Sequence, residues 1–350
     1  MARQMMPPKQ SGTEKGKRPR FPRPNAAHVK ARDAYKDVPI LQSPTWNNDI
    51  AAYFFLGGVS SGAYLLGAVL DASPIERRGL ARTAHLVSFA TMLACPPLLI
   101  DDLGKPSRFL HMLRIFKPSS PMNLGSWALT THGVFATLNA TRQLAEEDKL
   151  PLVGPLFRAI PKRALAFIGV PSALTLGGYT GVLIGTTSIP VWSESSLVGG
   201  LFMASALTTG VAAASLAATL TGQQSDEDTA MLSPLKRAAG VSELALLAGY
   251  FVTSGRAARP LLQGREGLLT LGAVIGSVAA LWLDLAGRQA PPESRRTSHT
   301  IGTILTLIGG ACLRWAFVRA GHVSAANRED TLAATKPSKN APGWGPTPTT

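Results

Sequence analysis

Asp49, Tyr53, Asp102 and Tyr179 each fall close to one end of a long apolar stretch. If these stretches thread alternately through a membrane, all four lie near one face, here called the first face. Phenol hydroxyls and carboxylates beside an apolar interior suit a ligand with a polar, redox-active head and an apolar tail. A quinol fits, because its hydroxyls need hydrogen-bond partners and a carboxylate can accept protons as electrons leave. The alternative is that both tyrosines are ordinary interfacial residues and that Asp49 caps a helix.

Further polar residues are expected near the same face. Asn48 precedes Asp49 at the mouth of its stretch, and His132 lies deeper in the third stretch. Arg108 belongs to a polar loop, Asp101–Trp127, whose prolines exclude one continuous helix. The apolar residues of this loop predict a short amphipathic helix at the membrane surface, and the alternative is a solvated connector.

A second set of ionisable residues, Asp71, His85 and Glu243, approaches the membrane from the opposite, second face. An acid about two turns inside an apolar span, as Glu243 is, is costly unless it is paired or functional. These three residues are therefore candidates for a proton path, and the alternative is a structural, hydrogen-bonded acid. Arg314, in the last span, pairs with an acid or extends towards the interface.

The composition indicates a membrane protein with several spans. Charged residues make up only 16% of the 350 residues, and they concentrate in the tails and between apolar segments. Each segment has about 20 residues, the length that crosses roughly 30 Å of hydrocarbon. The net charge of +14 comes largely from a basic, Pro-rich N-terminal tail. Such a tail favours anionic lipid over nucleic acid as its partner.

Eight spans are predicted, which places both termini on one side. They are 49–70, 82–100, 126–144, 164–185, 197–220, 238–253, 268–285 and 301–318. Residues 1–45 and 322–350 are expected to be disordered tails around a transmembrane domain, 46–321. Short loops on the second face carry more Lys and Arg than those on the first, which favours termini outside the cell.

Small residues line two of the spans and predict close packing of their backbones. They are Gly57, Gly58, Ser61, Gly62 and Gly67 on the first span, and Gly199, Gly200, Ser205 and Gly210 on the fifth. The likeness of Trp127–Gly133 to Ala206–Gly210 is compatible with two four-helix bundles or with chance.

Cys95 and Cys312 are the only cysteines, and both fall in apolar runs. Two such cysteines cannot supply a CxxC metal site or an iron–sulfur cluster, so small apolar packing is their expected role. His85 and His132 are expected towards opposite faces of the membrane, which argues against a bis-His haem between them. A chain of this kind would oxidise a quinol only by passing electrons to a partner.

The polar motifs resemble those of the NrfD/polysulfide reductase membrane-subunit family, in the same order. The segments that carry the resemblance are Phe55–Gly62, Asp102–Phe109, Ser120–Trp127, Tyr179–Leu183 and Leu313–Arg314.

This resemblance implies an all-α, haem-free integral membrane subunit built as two four-helix bundles. Such subunits exchange electrons between quinone and a ferredoxin-like iron–sulfur protein, which connects to a molybdopterin enzyme or a multihaem cytochrome. The quinone pocket of the family lies near the docking face, and its polar groups correspond here to Tyr53, Asp49 and Tyr179. Some members have His where this chain has Tyr53, so Asp49 or Asp102 would have to accept the proton.

The sequence therefore predicts a quinone-linked subunit of the cell (inner) membrane that takes menaquinone or ubiquinone. Asp49 and Asp102 would carry protons, and the ligand-binding residues would be Asn48, Tyr53, Arg108, His132 and Tyr179. The rivals are a proton-coupled transporter and a passive anchor for a redox complex.

Overall fold

A computed structural model describes residues 39–75, 77–103, 105, 107–287 and 291–334 of the chain. These residues form helices and no strand. The helices are α1 (Asn48–Ala72), α2 (Arg78–Asp102), α3 (Ser107–Arg114), α4 (Pro121–Glu146), α5 (Gly154–Arg158), α6 (Lys162–Gly185), α7 (Pro190–Ser193), α8 (Val198–Leu220), α9 (Asp226–Ser254), a 3₁₀ helix (Gly255–Leu262), α10 (Gly264–Gly287), α11 (Pro292–Ala326) and α12 (Arg328–Ala334).

Side-chain caps fix where several of the long helices begin. Asn47 caps α1 by accepting a hydrogen bond from the Asp49 backbone N–H at 2.7 Å. Ser120 caps α4, whose first residue is Pro121, and a capping box between Ser225 and Asp228 starts α9. Each cap satisfies backbone N–H groups that have no partner within the helix.

Eight of the described helices are long. Helices α1, α2, α4 and α6 are called the first helix group below; in it α1 packs against α2 and α6, and α4 packs against α6 and α2. Helices α8, α9, α10 and α11 are called the second helix group; in it α8 contacts α9 and α11, and α10 contacts both α9 and α11. The two groups share a broad interface, in which α8 lies against α1, α6 and α2.

Six of the long helices have the length and apolar composition needed to cross a membrane: α1, α2, α6, α8, α10 and α11. The predicted spans 126–144 and 238–253 lie in α4 and α9, which are not among these six because polar and charged residues interrupt them. The count of eight spans thus stays a prediction. Helices α11 and α12 extend past residue 322, where the C-terminal tail was expected to start, and the N-terminal tail 1–38 lies outside the described residues.

Contacts between helix ends are compatible with the predicted alternate threading. At the first face Trp46 stacks on Trp192, with ring centroids 5.2 Å apart, and His322 Nε2 is 2.7 Å from the Trp46 carbonyl oxygen. These contacts bring together the start of α1, the α6–α8 connection and the end of α11. At the second face Arg77, before α2, forms an ion pair with Asp228, in the first turn of α9.

The predicted close packing of small residues is confirmed where α1 crosses α8. A Cβ atom added at Gly62 would lie 2.0 Å from the Ala206 carbonyl oxygen, and one added at Gly210 would lie 2.3 Å from the Ala63 backbone nitrogen. Both obstacles are backbone atoms, so no side-chain movement would relieve the overlap.

Replacing Gly210 with alanine should therefore separate α1 from α8 and lower the free energy of unfolding by about 1–3 kcal/mol or more. Thermal unfolding of the purified protein in detergent measures the effect. Gly200→Ala, on the same helix, is the matched control, because its nearest neighbour is a Leu246 methyl group 3.8 Å away. Equal unfolding temperatures for the two variants would contradict the close crossing.

The ion pair between Arg77 and Asp228 should make stability depend on pH. Burial raises the pKa of the Asp228 carboxyl, but hydrogen bonds from Ser225 and Arg77 outweigh burial and leave that pKa below its usual value. A carboxyl whose pKa is lowered in the folded state contributes stability above its unfolded pKa, about 3.9, and loses it as the pH falls through the folded value.

Asp228→Asn should thus lower the unfolding temperature at pH 7, and its difference from wild type should shrink below about pH 4. Thermal unfolding at a series of pH values checks this. Asp226→Asn, an exposed acid in the same turn, should behave like wild type throughout.

Candidate functional site

A narrow cleft opens at the first face among the ends of α1, α2, α4 and α6. Its walls are largely apolar, formed by residues such as Ile50, Phe54 and Leu183. Tyr53, Tyr179, Asp102 and Ser126 are among the residues with polar side chains that line it. The structure therefore brings three of the predicted site residues, from three different helices, into one cleft.

Tyr179 lies directly against the first turns of α4. Its hydroxyl donates a hydrogen bond to the Pro121 carbonyl oxygen, and its side chain is 9% exposed. Gly125 makes this approach possible, because a Cβ there would lie 2.4 Å from Tyr179 Cε1. The phenol is thus held at the junction of α6 and α4 on the wall of the cleft.

Two carboxylates lie at the mouth of the cleft. Asp102 lines it and accepts a backbone hydrogen bond from Asn47, while Asp49 is an electrostatic neighbour of Asp102. Asp49 itself does not line the cleft. Asn48 is exposed and does not line it either, so a contact between Asn48 and a ligand in this cleft would need a change in structure.

The predicted short helix in the polar loop is confirmed as α3. Met112 of α3 lines the cleft, whereas Arg108 is exposed and is not part of its lining. Asn123 ties this loop to α4, because its side chain donates to the Ile115 carbonyl oxygen at 2.9 Å and accepts from the Lys117 N–H at 2.6 Å. Asn123 is a positioning residue that the sequence reasoning missed, although it lies within one of the motifs.

His132 lies outside the cleft, in a buried polar cluster between α1, α2 and α4. Its Nε2 atom is 2.9 Å from Ser60 Oγ, and Ser60 donates to the Ser88 carbonyl oxygen at 2.8 Å. The expected placement of His132 beside the ligand is thus not what the structure shows. The placement was predicted only from the depth of His132 along its helix. The rotation of α4 about its axis makes the imidazole face the interior of the first helix group.

The same cluster continues towards the second face. His85 Nε2 bonds to Asp71 Oδ2 at 2.9 Å, and the rings of His85 and His132 lie with their centroids 5.6 and 5.4 Å from that of Tyr64. His85, which lies towards the second face, and His132 are thus linked through one tyrosine, a connection that their predicted positions towards opposite faces did not include. Asn139 donates to the Tyr64 hydroxyl at 2.8 Å and completes the cluster.

Glu243 belongs to a separate site in the second helix group. Its Oε2 accepts a hydrogen bond from Thr208 Oγ1 at 2.7 Å, and Arg314 is its electrostatic neighbour. Arg314 is 1% exposed, donates to the Phe202 carbonyl oxygen at 2.9 Å and lies 4.0 Å from the centre of the Phe202 ring. Of the two alternatives for Arg314, the structure supports a buried position with a buried acid as electrostatic neighbour, at a distance longer than that of a direct ion pair.

A polar cleft leads from the second face towards Glu243. Its outer part has a volume of about 200 Å³ and shares Asp284 and His299 with the inner part, which Glu243 lines. Lys236 Nζ lies 3.0 Å from His299 Nε2, and Ser233 donates to Asp284 at 2.7 Å. Glu243 is thus connected to the second face through Lys236, His299 and Asp284, and it is not joined to Asp71 and His85 as the predicted single path required.

The long apolar helices define a multi-pass membrane protein. The polar residues of the two clefts and the ionisable groups buried in both helix groups are suited to handling protons. A family model described as "Polysulphide reductase, NrfD" matches residues 40–326. The chain belongs to the NrfD family, and the resemblance noted in the sequence is confirmed.

Three relatives show how far the similarity extends. The chain is 28% identical over 183 residues to a polysulfide reductase chain of Wolinella succinogenes, covering 47% of this chain and 56% of that protein. It is 23% identical over 314 residues to an NrfD homolog of Haemophilus influenzae, covering 80% and 95%. It is 24% identical over 220 residues to a selenate reductase subunit of Mesobacillus selenatarsenatis, covering 53% and 50%. The matches thus span about half the length of the two reductase proteins.

Proposed function

We propose that this chain is the membrane subunit of a quinone-linked oxidoreductase, which binds quinol or quinone and exchanges electrons with a partner iron–sulfur protein. Family membership and the names of two relatives as parts of reductases support this assignment. The observation that carries it is the convergence of Tyr53, Tyr179 and Asp102 on one apolar cleft.

The chemistry of the cleft suits quinol oxidation or its reverse. Oxidation of a quinol releases two protons and two electrons, and the electrons leave for the partner. The Tyr53 hydroxyl would donate a hydrogen bond to one oxygen of the head group. Because the Tyr179 hydroxyl donates to the Pro121 carbonyl oxygen, the Tyr179 oxygen would accept a hydrogen bond from a quinol hydroxyl, and Asp102, with Asp49 behind it, would accept protons. The apolar walls would contact the ring and the tail of menaquinone or ubiquinone.

Entry of a quinone ring requires movement of side chains at the cleft. The volume of the cleft is about 40 Å³, which is space for a few water molecules. Met112 and Met122 line it, and methionine side chains adapt to irregular gaps because they are long, unbranched and polarizable. We infer that these two methionines are displaced when the head group enters.

We further propose how the chain lies in the membrane, which partner it docks and where protons enter. All eight long helices would cross the cell (inner) membrane as two four-helix bundles, with the termini outside, as the loop charges favour. The first face, where the cleft opens, would dock a ferredoxin-like iron–sulfur subunit, which connects to a molybdopterin subunit or a multihaem cytochrome. Glu243 would exchange protons with the second face through Lys236 and His299, and Asp71 with His85 would form a separate route.

Photolabelling with an azidoquinone tests the binding site. The purified full chain, with any subunits that copurify, is labelled in detergent and digested, and the labelled peptides are identified by mass spectrometry. We expect labels near Tyr53 on α1 and near Tyr179 on α6, and excess unlabelled quinone should remove them. Competed labels confined to other helices would overturn the assignment.

A proton-coupled transporter is the second candidate, favoured by the polar cleft that reaches Glu243 from the second face. Liposomes containing the chain alone discriminate the two functions. Proton-driven substrate movement without a quinone or a partner would favour the transporter, and strict dependence on both would favour the redox subunit.

A further inference from the structure

Two adjoining cavities lie at the second face of the first helix group, away from both clefts described above. One, of about 410 Å³, lies between the α1–α2 connection and the start of α6, and the other, of about 540 Å³, lies between α2 and the ends of α4 and α5. Arg78 and Lys162 line both cavities. The two cavities together are called the basic cavity below.

Basic side chains outnumber acidic ones in the lining of the basic cavity, by seven to three. The basic residues are Arg77, Arg78, Arg82, Arg142, Arg158, Lys162 and Arg163. Several of them are held in place by contacts with the protein, as Arg142 is by Glu146 at 2.8 Å and Arg163 by the Asp71 carbonyl oxygen at 3.2 Å. Arg77 and Arg158 pair with Asp228 and Asp148, which lie outside the lining. The cavity therefore presents preorganised cationic groups with a moderate excess of positive charge.

Six of the seven basic side chains that line the basic cavity are arginines. Arginine forks match the oxygens of a phosphate group, and charge-assisted bonds of this kind are the strong ones. The chemistry of the cavity is thus that of a phosphate-binding site.

Exposed apolar side chains occur on and beside helices that contribute to the basic cavity. Leu152 and Leu156, in and beside α5, are 93% and 70% exposed, and Ile168, less than two turns along α6 from Lys162, is 64% exposed. A soluble anion has no apolar part that could contact such side chains, whereas an anionic lipid has both an anionic head group and apolar chains. Basic pockets between membrane helices are known to bind the head groups of anionic lipids.

We propose that the basic cavity binds the phosphate group of an anionic phospholipid, with the acyl chains lying against the exposed apolar residues of α5 and α6. Its two parts have room for two phosphate groups, so a diphosphate lipid such as cardiolipin should bind more tightly than phosphatidylglycerol. This site is independent of quinone binding at the opposite face.

Native mass spectrometry of the full chain in detergent tests the proposal by counting lipid adducts. Cardiolipin, phosphatidylglycerol, phosphatidylcholine and inorganic phosphate are titrated separately. The double variant Arg78→Gln with Lys162→Gln should weaken cardiolipin binding by about tenfold or more, because each cationic side chain near a membrane surface contributes about 1 kcal/mol to anionic-lipid binding. Phosphatidylcholine should give no specific adduct.

Two further variants keep the result interpretable. Arg295→Gln with Arg296→Gln removes the same number of charges from the second face of the other helix group and should leave cardiolipin binding unchanged. Arg78→Lys with Lys162→Arg retains the charge and should bind cardiolipin, which separates loss of charge from misfolding. Equal losses in the two glutamine pairs, or binding of inorganic phosphate without binding of lipid, would overturn the proposal.

Discussion

Replacing Tyr179 with phenylalanine should lower quinol-dependent turnover of the assembled complex by at least about tenfold, because one hydrogen bond to the head group is lost at the reacting oxygen. Subunit composition and quinol-independent activity of the partner enzyme should not change. Turnover is measured with a soluble quinol analogue and an artificial or native acceptor. Tyr53→Phe should act in the same direction.

Tyr250→Phe is the matched control for this experiment. The Tyr250 hydroxyl donates to the Val191 carbonyl oxygen at 2.5 Å, much as Tyr179 donates to Pro121, but Tyr250 lies in the second helix group and outside the cleft. Both variants therefore lose one buried phenol hydrogen bond, and only one of them loses a cleft residue. If Tyr179→Phe turns over quinol at the wild-type rate, the result would favour the passive anchor over the quinone-binding subunit.

Replacing Arg314 with methionine should be the most destabilising of these substitutions, at about 3–5 kcal/mol. Methionine keeps much of the side-chain length but leaves Glu243 buried without its cationic neighbour and the Phe202 carbonyl oxygen without its donor. An uncompensated buried charge costs more than the pair contributes, so the double variant with Glu243→Gln should recover part of the loss. Thermal or denaturant unfolding in detergent provides the measurement.

Arg319→Met, one to two turns further along α11, serves as the control. Arg319 is partly exposed, and its Nε atom lies 3.2 Å from Glu266 Oε1, an arrangement expected to contribute at most about 1 kcal/mol. If Arg314→Met is no more destabilising than Arg319→Met, the electrostatic interaction of Arg314 with Glu243 is not important for the fold.

The depth of each polar residue could be read from the sequence with good accuracy. Tyr53 and Tyr179 were expected at the same level of the first face, and the structure places both on one cleft together with Asp102. Depth is predictable because a helix rises 1.5 Å per residue and alternate threading fixes its direction. The close packing of α1 and α8 at their glycines could also be predicted, because small residues at helical spacing in a membrane typically mark a helix–helix contact.

The rotation of each helix about its axis, which decides which side chains face its neighbours, could not be predicted from the sequence in the same way. His132 was expected beside the ligand and instead bonds to Ser60, and Arg108 was expected to bind the ligand and is exposed on α3. Helices that are apolar on all sides give little amphipathic signal to show which face packs inward. The partners of an inward-facing polar group therefore depend on which neighbours the packing selects.

The sequence by itself determined that this chain is helical, crosses a membrane, resembles the NrfD family and keeps its phenols and carboxylates near one face. Only the tertiary structure decided that Glu243 and Arg314 lie in a different helix group from Asp71 and His85, and that seven basic side chains surround one cavity at the second face. The length of an apolar segment and the spacing of its residues are properties of one helix, so they can be read directly from the sequence. Contacts between helices depend on shape and rotation in three dimensions, which no single stretch of sequence specifies.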